Sequence, residues 1–346
     1  MKKKRSAGKI IGIVLICICL VLLLLMLAAF IYFNSLLNKI DRNEITGDPN
    51  LSEEEIYEAP TVDMPDSIDE IEQVKQEFEE AQKIEIAQSD GVDNILLIGA
   101  DRRSMSENGR SDSVILVSLN HDTGKIHLTS FMRAMYVCIP RSDGNVWGML
   151  NAAYSWGGPN LLIDTIELNF RIKIDRYVIV DFTAFETAID MVGGVELNLT
   201  AQEASVIQTQ TGAPTYEGVQ VLDGHRALIY AQTRNIDNDF KRTSRQRTVI
   251  TALLSKVPGI EINTLISMAN EILPLVNTNL SNTEIMQYII ECVPIISNPN
   301  NISQRMLPVE NESGETFTGI IYVNGREMYR VNFAHNIKEL HDFINS

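Results

Sequence analysis

From Ile10 to Phe33 the chain runs through 24 consecutive positions without a charged side chain, IIGIVLICICLVLLLLMLAAFIYF. At about 1.5 Å per residue, a helix of that length reaches roughly 36 Å and crosses the ~30 Å hydrocarbon core with some tilt. The apolar core of a cleaved signal peptide has only about 7–15 residues, so the run predicts an uncleaved transmembrane helix. Lys2, Lys3, Lys4, Arg5 and Lys9 precede it with no acid among them. That asymmetry keeps residues 1–9 in the cytoplasm as a basic tail and places the chain beyond about Asn34 outside the cell, on the membrane surface.

Between Asp41 and Asp90 the pattern turns polar, with 17 Asp and Glu against Arg42, Lys75 and Lys83. Pro49, Pro60 and Pro65 interrupt its first half, so residues 34–90 predict an acidic extracellular stalk rather than part of a core. Within it, Ile68, Ile71, Val74, Phe78 and Ala81 recur at helical spacing, which fits either a short amphipathic helix or a solvated spacer.

Beyond Val92, apolar runs alternate with helical segments, the pattern of an α/β domain over residues 91–346. The runs NILLI (94–98), SVILVSL (113–119), IHLTSF (126–131), MYVCI (135–139), RYVIV (176–180) and VELNL (195–199) predict strands. Residues 319–323 and 328–331 predict two more late in the chain. Helices are predicted over 160–170, over 182–192 with a stop at Gly193–Gly194, over 223–233 with Asp223 as N-cap, and over 243–256, 281–292 and 336–344. No internal repeat or second composition shift divides this region.

Composition narrows the chemistry. The net charge is −16, which with an extracellular domain argues against nucleic acid as a partner. Only Cys138 and Cys292 lie outside the apolar span, so no disulfide framework is implied, and Cys138, in a strand-like run, predicts a buried free thiol. The five histidines are scattered without metal spacing, and no CxxC, GxSxG, HExxH or Walker loop occurs.

Two stretches remain. In "IGADRRS", Asp101 follows a strand directly, and "GRSDS" brings Arg110 and Asp112 just before the next. If the two strands form an antiparallel hairpin, both carboxylates reach one end of the sheet, where two oxygens suit Mg²⁺; Asp beside Gly and Ser also caps ordinary turns. The second stretch, NDFKRTSRQRTV (238–249), is basic in an acidic protein. A helix starting at Asp239 places Asp239, Arg242 and Gln246 on one face, continued by Val249, Ile250 and Leu253. Arg242 and the helix N-terminal amides together suit phosphate, with Arg234 converging from upstream. The same cluster also fits an exposed charged helix, and Arg245 and Arg247, on other faces, predict solvated or surface-paired side chains.

Read in order, "NILLIGADRRS", "GRSDSVILVS", "NAAYSWGGP", "DRYVIVDF", "DMVGGVELN", "LDGHRALIYAQTRN" and "DFKRTSRQR" resemble the LytR-CpsA-Psr proteins, membrane-anchored enzymes of Gram-positive cell walls. The resemblance implies a single three-layer α/β/α domain, with a central mixed sheet and an apolar tunnel for a polyprenyl chain. It implies a phosphotransferase that moves a teichoic acid or capsular polysaccharide type glycopolymer from undecaprenyl pyrophosphate onto peptidoglycan. By motif match, Asp101 and Asp112 would hold Mg²⁺; Arg110, Arg133, Arg234 and Arg242 would clamp the pyrophosphate; Asp239 and Gln246 would orient arginines or acceptor. Two positions depart from the family pattern: Ala134 replaces the Asp that usually follows Arg133, and Gln232 replaces the first arginine of an RxR element. These departures keep two other readings open, a non-catalytic polyprenyl-phosphate-binding wall-assembly protein and a lipid pyrophosphate hydrolase.

Overall fold

The computed structural model of the chain describes residues 27–57, 61–87, 91–101, 110–233, 236–237, 239–309 and 319–346. Its helices and strands follow in the order α1 (27–37), α2 (Glu53–Ile56), α3 (Ile68–Ala81), β1 (Val92–Asp101), β2 (Arg110–Asn120), β3 (Lys125–Phe131), β4 (Tyr136–Arg141) and β5 (Gly144–Met149). Then come α4 (Leu150–Phe170), β6 (Arg176–Asp181), α5 (Phe182–Met191), β7 (Val195–Leu199), α6 (Ala201–Thr211), β8 (Gly218–Leu222), α7 (Gly224–Gln232) and α8 (Asp239–Lys256). The chain closes with α9 (Ile262–Ile272), β9 (Val276–Thr278), α10 (Asn282–Ile296), β10 (Ile302–Leu307), β11 (Ile320–Val323), β12 (Arg326–Tyr329) and α11 (Phe333–Ile344).

Six strands form the central sheet in the order β10-β3-β2-β1-β6-β9. β10 and β3 are parallel, as are β1 and β6, while the other neighbours are antiparallel, so the sheet is mixed. Strand alternation divides its side chains between two faces. Leu96, Ile98, Val114 and Leu116 are buried against Leu162, Ile166 and Phe170 of α4 and Phe333, Ile337 and Leu340 of α11. On the opposite face Ile115, Leu119, Ile126 and Leu128 meet Ile250 of α8 and Ile295 and Ile296 of α10.

The two faces are not covered equally well. Leu96, Ile98, Tyr177 and Ile179, from the adjacent strands β1 and β6, are buried on the first face. Their neighbours Ile95, Leu97, Val178 and Val180, on the second face at the middle of the sheet, are only half-buried. Central strands of such sheets normally bury both faces, whereas here the second face keeps part of its apolar centre accessible.

The acidic segment does not behave as a stalk. Leu36, Leu37, Ile40, Ile45, Ile56 and Tyr57 are buried, as are Val74, Phe78 and Ala81 of α3. Phe78 packs edge-on against Trp147 and Phe333, with ring centroids 5.2 and 5.4 Å away. Tyr57 Oη accepts from Met149 N at 3.1 Å, and Trp156 Nε1 donates to Leu51 O at 2.9 Å. Net charge misleads here because the acids occupy the solvent side of α3, while one apolar stripe is enough to dock it. The folded unit therefore starts well before residue 91.

Other differences have local causes. The helix expected to begin at Asn160 starts at Leu150 and bends at Gly157–Gly158, where residues 45–47 cross it. A Cβ on Gly158, whose φ is +65°, would lie 2.3 Å from the Ile45 carbonyl oxygen. Strands β5, β8, β9 and β10 and helices α6 and α9 were not expected from the pattern; β9 has three residues, and α6 is mostly polar. Cys138 is a buried free thiol and Cys292 a half-buried one, and burial pushes both up to about 11. Most of the expected transmembrane span, residues 10–26, lies outside the described residues. Among those described, no helix is long and apolar enough to cross a membrane.

Candidate functional site

The β1–β2 hairpin sets the site's first edge. β1 ends at Asp101, and Arg110, the first residue of β2, is its Cα partner. Gly99 pairs with Ser113 and Ala100 with Ser111, which leaves Asp112 as an extra residue in a β-bulge. A bulge interrupts the alternation of side chains along a strand, and next to it Gly99 faces Ser113 closely: a Cβ on Gly99 would lie 3.1 Å from Ser113 Cβ. The hairpin thus brings the backbones of Asp101, Arg110 and Asp112 to one end of the sheet; their side chains lie outside the described residues.

Neighbouring strands deliver further groups to this end. β3 pairs Phe131 with Val114, so its C-terminus arrives at the same edge and leads into half-buried Arg133. β6 places Asp181 beside Ala100, but this carboxylate is committed to the N-cap of α5, accepting from Ala184 N at 2.7 Å.

Helix α8 begins next to the same corner. Phe240 packs edge-on against Tyr329 at 5.1 Å, and Tyr329 N donates to Ala134 O at 2.8 Å, one residue beyond Arg133. From there the expected face runs down the helix: Arg242 is buried to 2% exposure, Gln246 half-buried, Val249 buried, and Ile250 and Leu253 half-buried. Arg234 and the side chain of Asp239 lie outside the described residues. Gln232 ends α7 and is exposed, while Ala134 contributes its carbonyl to the turn.

Arg245 and Arg247 are not surface residues, contrary to the sequence expectation. Arg245, 4% exposed, grips Asp237 with both terminal nitrogens at 2.6 and 2.9 Å. It also donates to Thr233 O at 2.5 Å and to Glu203 Oε1 at 3.4 Å. Burial opposes its charge, but the Asp237 hydrogen bonds prevail and hold its pKa above the ordinary value. Burial lowers that of Arg247. Helical spacing carried the missed signal: Arg245 lies three residues from Arg242 and four from Val249, on the buried stripe.

The hairpin backbone at Asp101, Arg110 and Asp112, half-buried Arg133 after β3, and the start of α8 ahead of Arg242 thus lie at one corner of the sheet. No cluster of three or more metal-ligating side chains occurs among the described residues. The class is therefore a mixed-sheet α/β protein whose sheet ends at this corner, beside a half-buried apolar centre. Residues 60–339 match the model of the LytR_cpsA_psr family, and the chain belongs to that family.

Relatives agree. The polyisoprenyl-teichoic acid–peptidoglycan teichoic acid transferase TagU of Oceanobacillus iheyensis is 35% identical over 251 residues, 69% of this chain and 73% of its own length. The crystal structure of Bacillus subtilis TagV superposes with a TM-score of 0.58 at 25% identity, covering 74% of this chain and 97% of TagV. YwtF (TagT), a family protein solved with bound octaprenyl pyrophosphate lipid, gives 0.55 at 23% identity, covering 77% and 95%; B. subtilis is the source of TagT.

Proposed function

We propose that this chain is a Mg²⁺-dependent phosphotransferase that moves a cell-wall glycopolymer, of teichoic acid or capsular polysaccharide type, from undecaprenyl pyrophosphate onto peptidoglycan. It works outside the cell, held by the helix of residues 10–33. The observation that carries the reading is the half-buried apolar centre of the sheet, Ile95, Leu97, Val178 and Val180, running up to the edge where β1 ends at Asp101. Such a surface accommodates a prenyl chain whose pyrophosphate meets charged groups at the mouth. A transferase name for the TagU relative and the lipid bound in TagT support it.

In this reading Asp101 and Asp112 hold Mg²⁺, which supplies charge neutralisation to the pyrophosphate. Arg110, Arg133, Arg234 and Arg242 grip its oxygens, and Asp239 and Gln246 orient the arginines or the acceptor. The sugar hydroxyl of peptidoglycan forms a new P–O bond as it loses its proton; the bridging P–O bond breaks, and polyprenyl phosphate leaves. Positioning and fixed positive charge suffice for such a transfer, without a covalent relay.

Ala134 and the exposed Gln232 favour a second reading, a non-catalytic polyprenyl-phosphate-binding wall-assembly protein. The test uses full-length chain in lipid nanodiscs with prenyl-pyrophosphate-linked glycan, with and without peptidoglycan, with Mg²⁺ or EDTA. Acceptor-dependent release of prenyl phosphate, lost in EDTA and in Asp101→Ala and Arg242→Ala, is expected. Lipid binding without turnover selects the second reading, and release without acceptor indicates hydrolysis.

A further inference from the structure

Helix α10 has its amphipathicity inverted. Its polar side chains face the body of the protein: Glu284 Oε1 accepts from Arg176 Nε at 2.7 Å, Tyr288 Oη donates to Asp93 Oδ2 at 2.9 Å, and Glu291 Oε2 meets His121 Nδ1 at 3.5 Å. Arg176 and Asp93 stand at the starts of β6 and β1, and His121 follows the end of β2, so α10 crosses the end of the sheet opposite Asp101. Met286, Ile289, Ile290 and Val293, three and four residues apart, form a stripe on the other side of the helix. Ile289, Ile290 and Val293 are 50%, 69% and 40% exposed. A surface helix ordinarily turns such a stripe to the core, and a contiguous apolar patch left outside marks a surface that something else covers.

The neighbouring segment identifies the cover. The uncharged run of residues 10–33 overlaps the start of α1, where Leu27, Phe30, Ile31 and Tyr32 are exposed. Asn34, the first residue after that run, accepts from Asn282 Nδ2 at 2.6 Å, and Asn38 accepts from the same nitrogen at 2.7 Å. Asn282 is the first residue of α10. Arg42 adds a bond from Nη2 to Asn282 Oδ1 at 2.5 Å and one from Nε to Leu280 O at 3.0 Å. Asp41 N donates to Val276 O at 3.1 Å, which ties the same segment to β9. The chain leaving the apolar run is thus fastened to α10 at once, with no free tether between them. The exposed stripe begins about one turn further on, at Met286.

We propose that the exposed face of α10 is a membrane-docking surface, seated in the headgroup region of the bilayer beside the point where the chain emerges. An interfacial helix sinks its apolar face about 5–10 Å into the boundary between headgroups and acyl chains. Nothing on α10 opposes this, because Glu284 and Glu291 are its only charged residues and both are turned to the sheet. Those contacts fix the helix to the domain, so the domain is set down in one orientation, with the Asp101 edge at the far end of the sheet from the docked helix. The inference rests on the reading of residues 10–33 as a transmembrane helix and adds to it a second, non-spanning contact.

The test adds single tryptophans to full-length chain reconstituted in phosphatidylcholine–phosphatidylglycerol vesicles, with and without phosphatidylcholine brominated near the headgroup end of its acyl chains. Signal from the native Trp147 and Trp156 is subtracted using wild type. Ile290→Trp and Ile289→Trp are expected to emit to the blue of an aqueous tryptophan and to lose most of their added fluorescence to bromine. Ile68→Trp, 73% exposed on α3, which packs with the core of the first sheet face, should keep its fluorescence. Chain that resists carbonate extraction from the vesicles while both α10 tryptophans stay unquenched overturns the docking and leaves the spanning helix intact. Quenching of Ile68→Trp as strong as that of Ile290→Trp overturns the choice of face. A blue-shifted but unquenched Ile290→Trp, whose shift fades as the chain is diluted in lipid, puts a second copy of the chain on the stripe and overturns the docking as well. Release of wild type by carbonate overturns the spanning helix and the docking with it.

Discussion

Replacing Arg245 by Met keeps the length of the side chain and removes its charge. Asp237 and Glu203, with side chains 27% and 10% exposed, then face each other without a cation, and Thr233 O loses its donor. Removing one member of a buried pair costs about 3–5 kcal/mol; Asp237 keeps some water, which puts this case near ~3 kcal/mol. For a domain of this size that lowers the melting temperature by about 6–12 °C. Thermal denaturation of full-length chain in micelles reads it, with Asp237→Asn and the double variant completing a cycle. Arg245 also ties Thr233 and Asp237 together, bracketing Arg234, so Arg245→Met should weaken pyrophosphate binding too, and Arg245→Lys should restore part of it. A melting temperature within about 2 °C of wild type, or strict additivity with Asp237→Asn, would refute the network.

Phe78→Ala should destabilise the fold by about 3–5 kcal/mol, and a chain beginning at residue 91 should show no cooperative melt; a stable truncated chain would restore the stalk. Gly158→Ala should lower stability markedly, because the Ile45 carbonyl oxygen blocks its Cβ and the φ of +65° is left-handed; an unchanged denaturation midpoint would show that the crossing chain yields. Glu284 is held down at about 2, chiefly by the Ser281 side-chain and backbone hydrogen bonds and then by Arg176. Its folded pKa is depressed, so its contribution is present above the ordinary carboxylate range and fades as pH falls from about 4.5 to about 2. Urea midpoints of Glu284→Gln should accordingly vary less than wild type across that window.

Much of the sheet was legible because its strands are dense in β-branched and long aliphatic residues. The runs 94–98, 113–119, 126–131, 176–180 and 195–199 all fall within observed strands. β10, Ile302–Leu307, was not, since ISQRML mixes Gln and Arg into an edge strand whose pairing with β3 no local pattern encodes. α9 does carry a local signal, since Ile262, Leu265, Ile266 and Ala269 stand at helical spacing. In the site, the hairpin placement of Asp101 and Asp112 and the face of Arg242, Gln246 and Val249 could be read from spacing. The bulge at Asp112 could not, because it depends on the register between two strands. For Arg245 and Arg247 charge points to the surface while periodicity points inward, and partners as distant as Glu203 are invisible in a local window.

One gradient connects the parts. Along α8 one side passes from buried Arg242 through Gln246 to Ile250, which packs on the sheet. Beneath it the sheet passes from the Asp101–Arg110 edge to Leu97 and Ile95. Two surfaces graded in the same direction, charged at one end and apolar at the other, suit a molecule with an anionic head and a long apolar tail better than a soluble polyanion. Ala134 and Gln232 both belong to the charged end. Their effect should therefore fall on turnover, which needs every charge at the transferring phosphorus, and spare retention of the lipid, which rests on apolar burial. Restoring Ala134→Asp and Gln232→Arg together should then raise transfer rate at nearly constant prenyl-pyrophosphate affinity, and a change in affinity alone would count against this division.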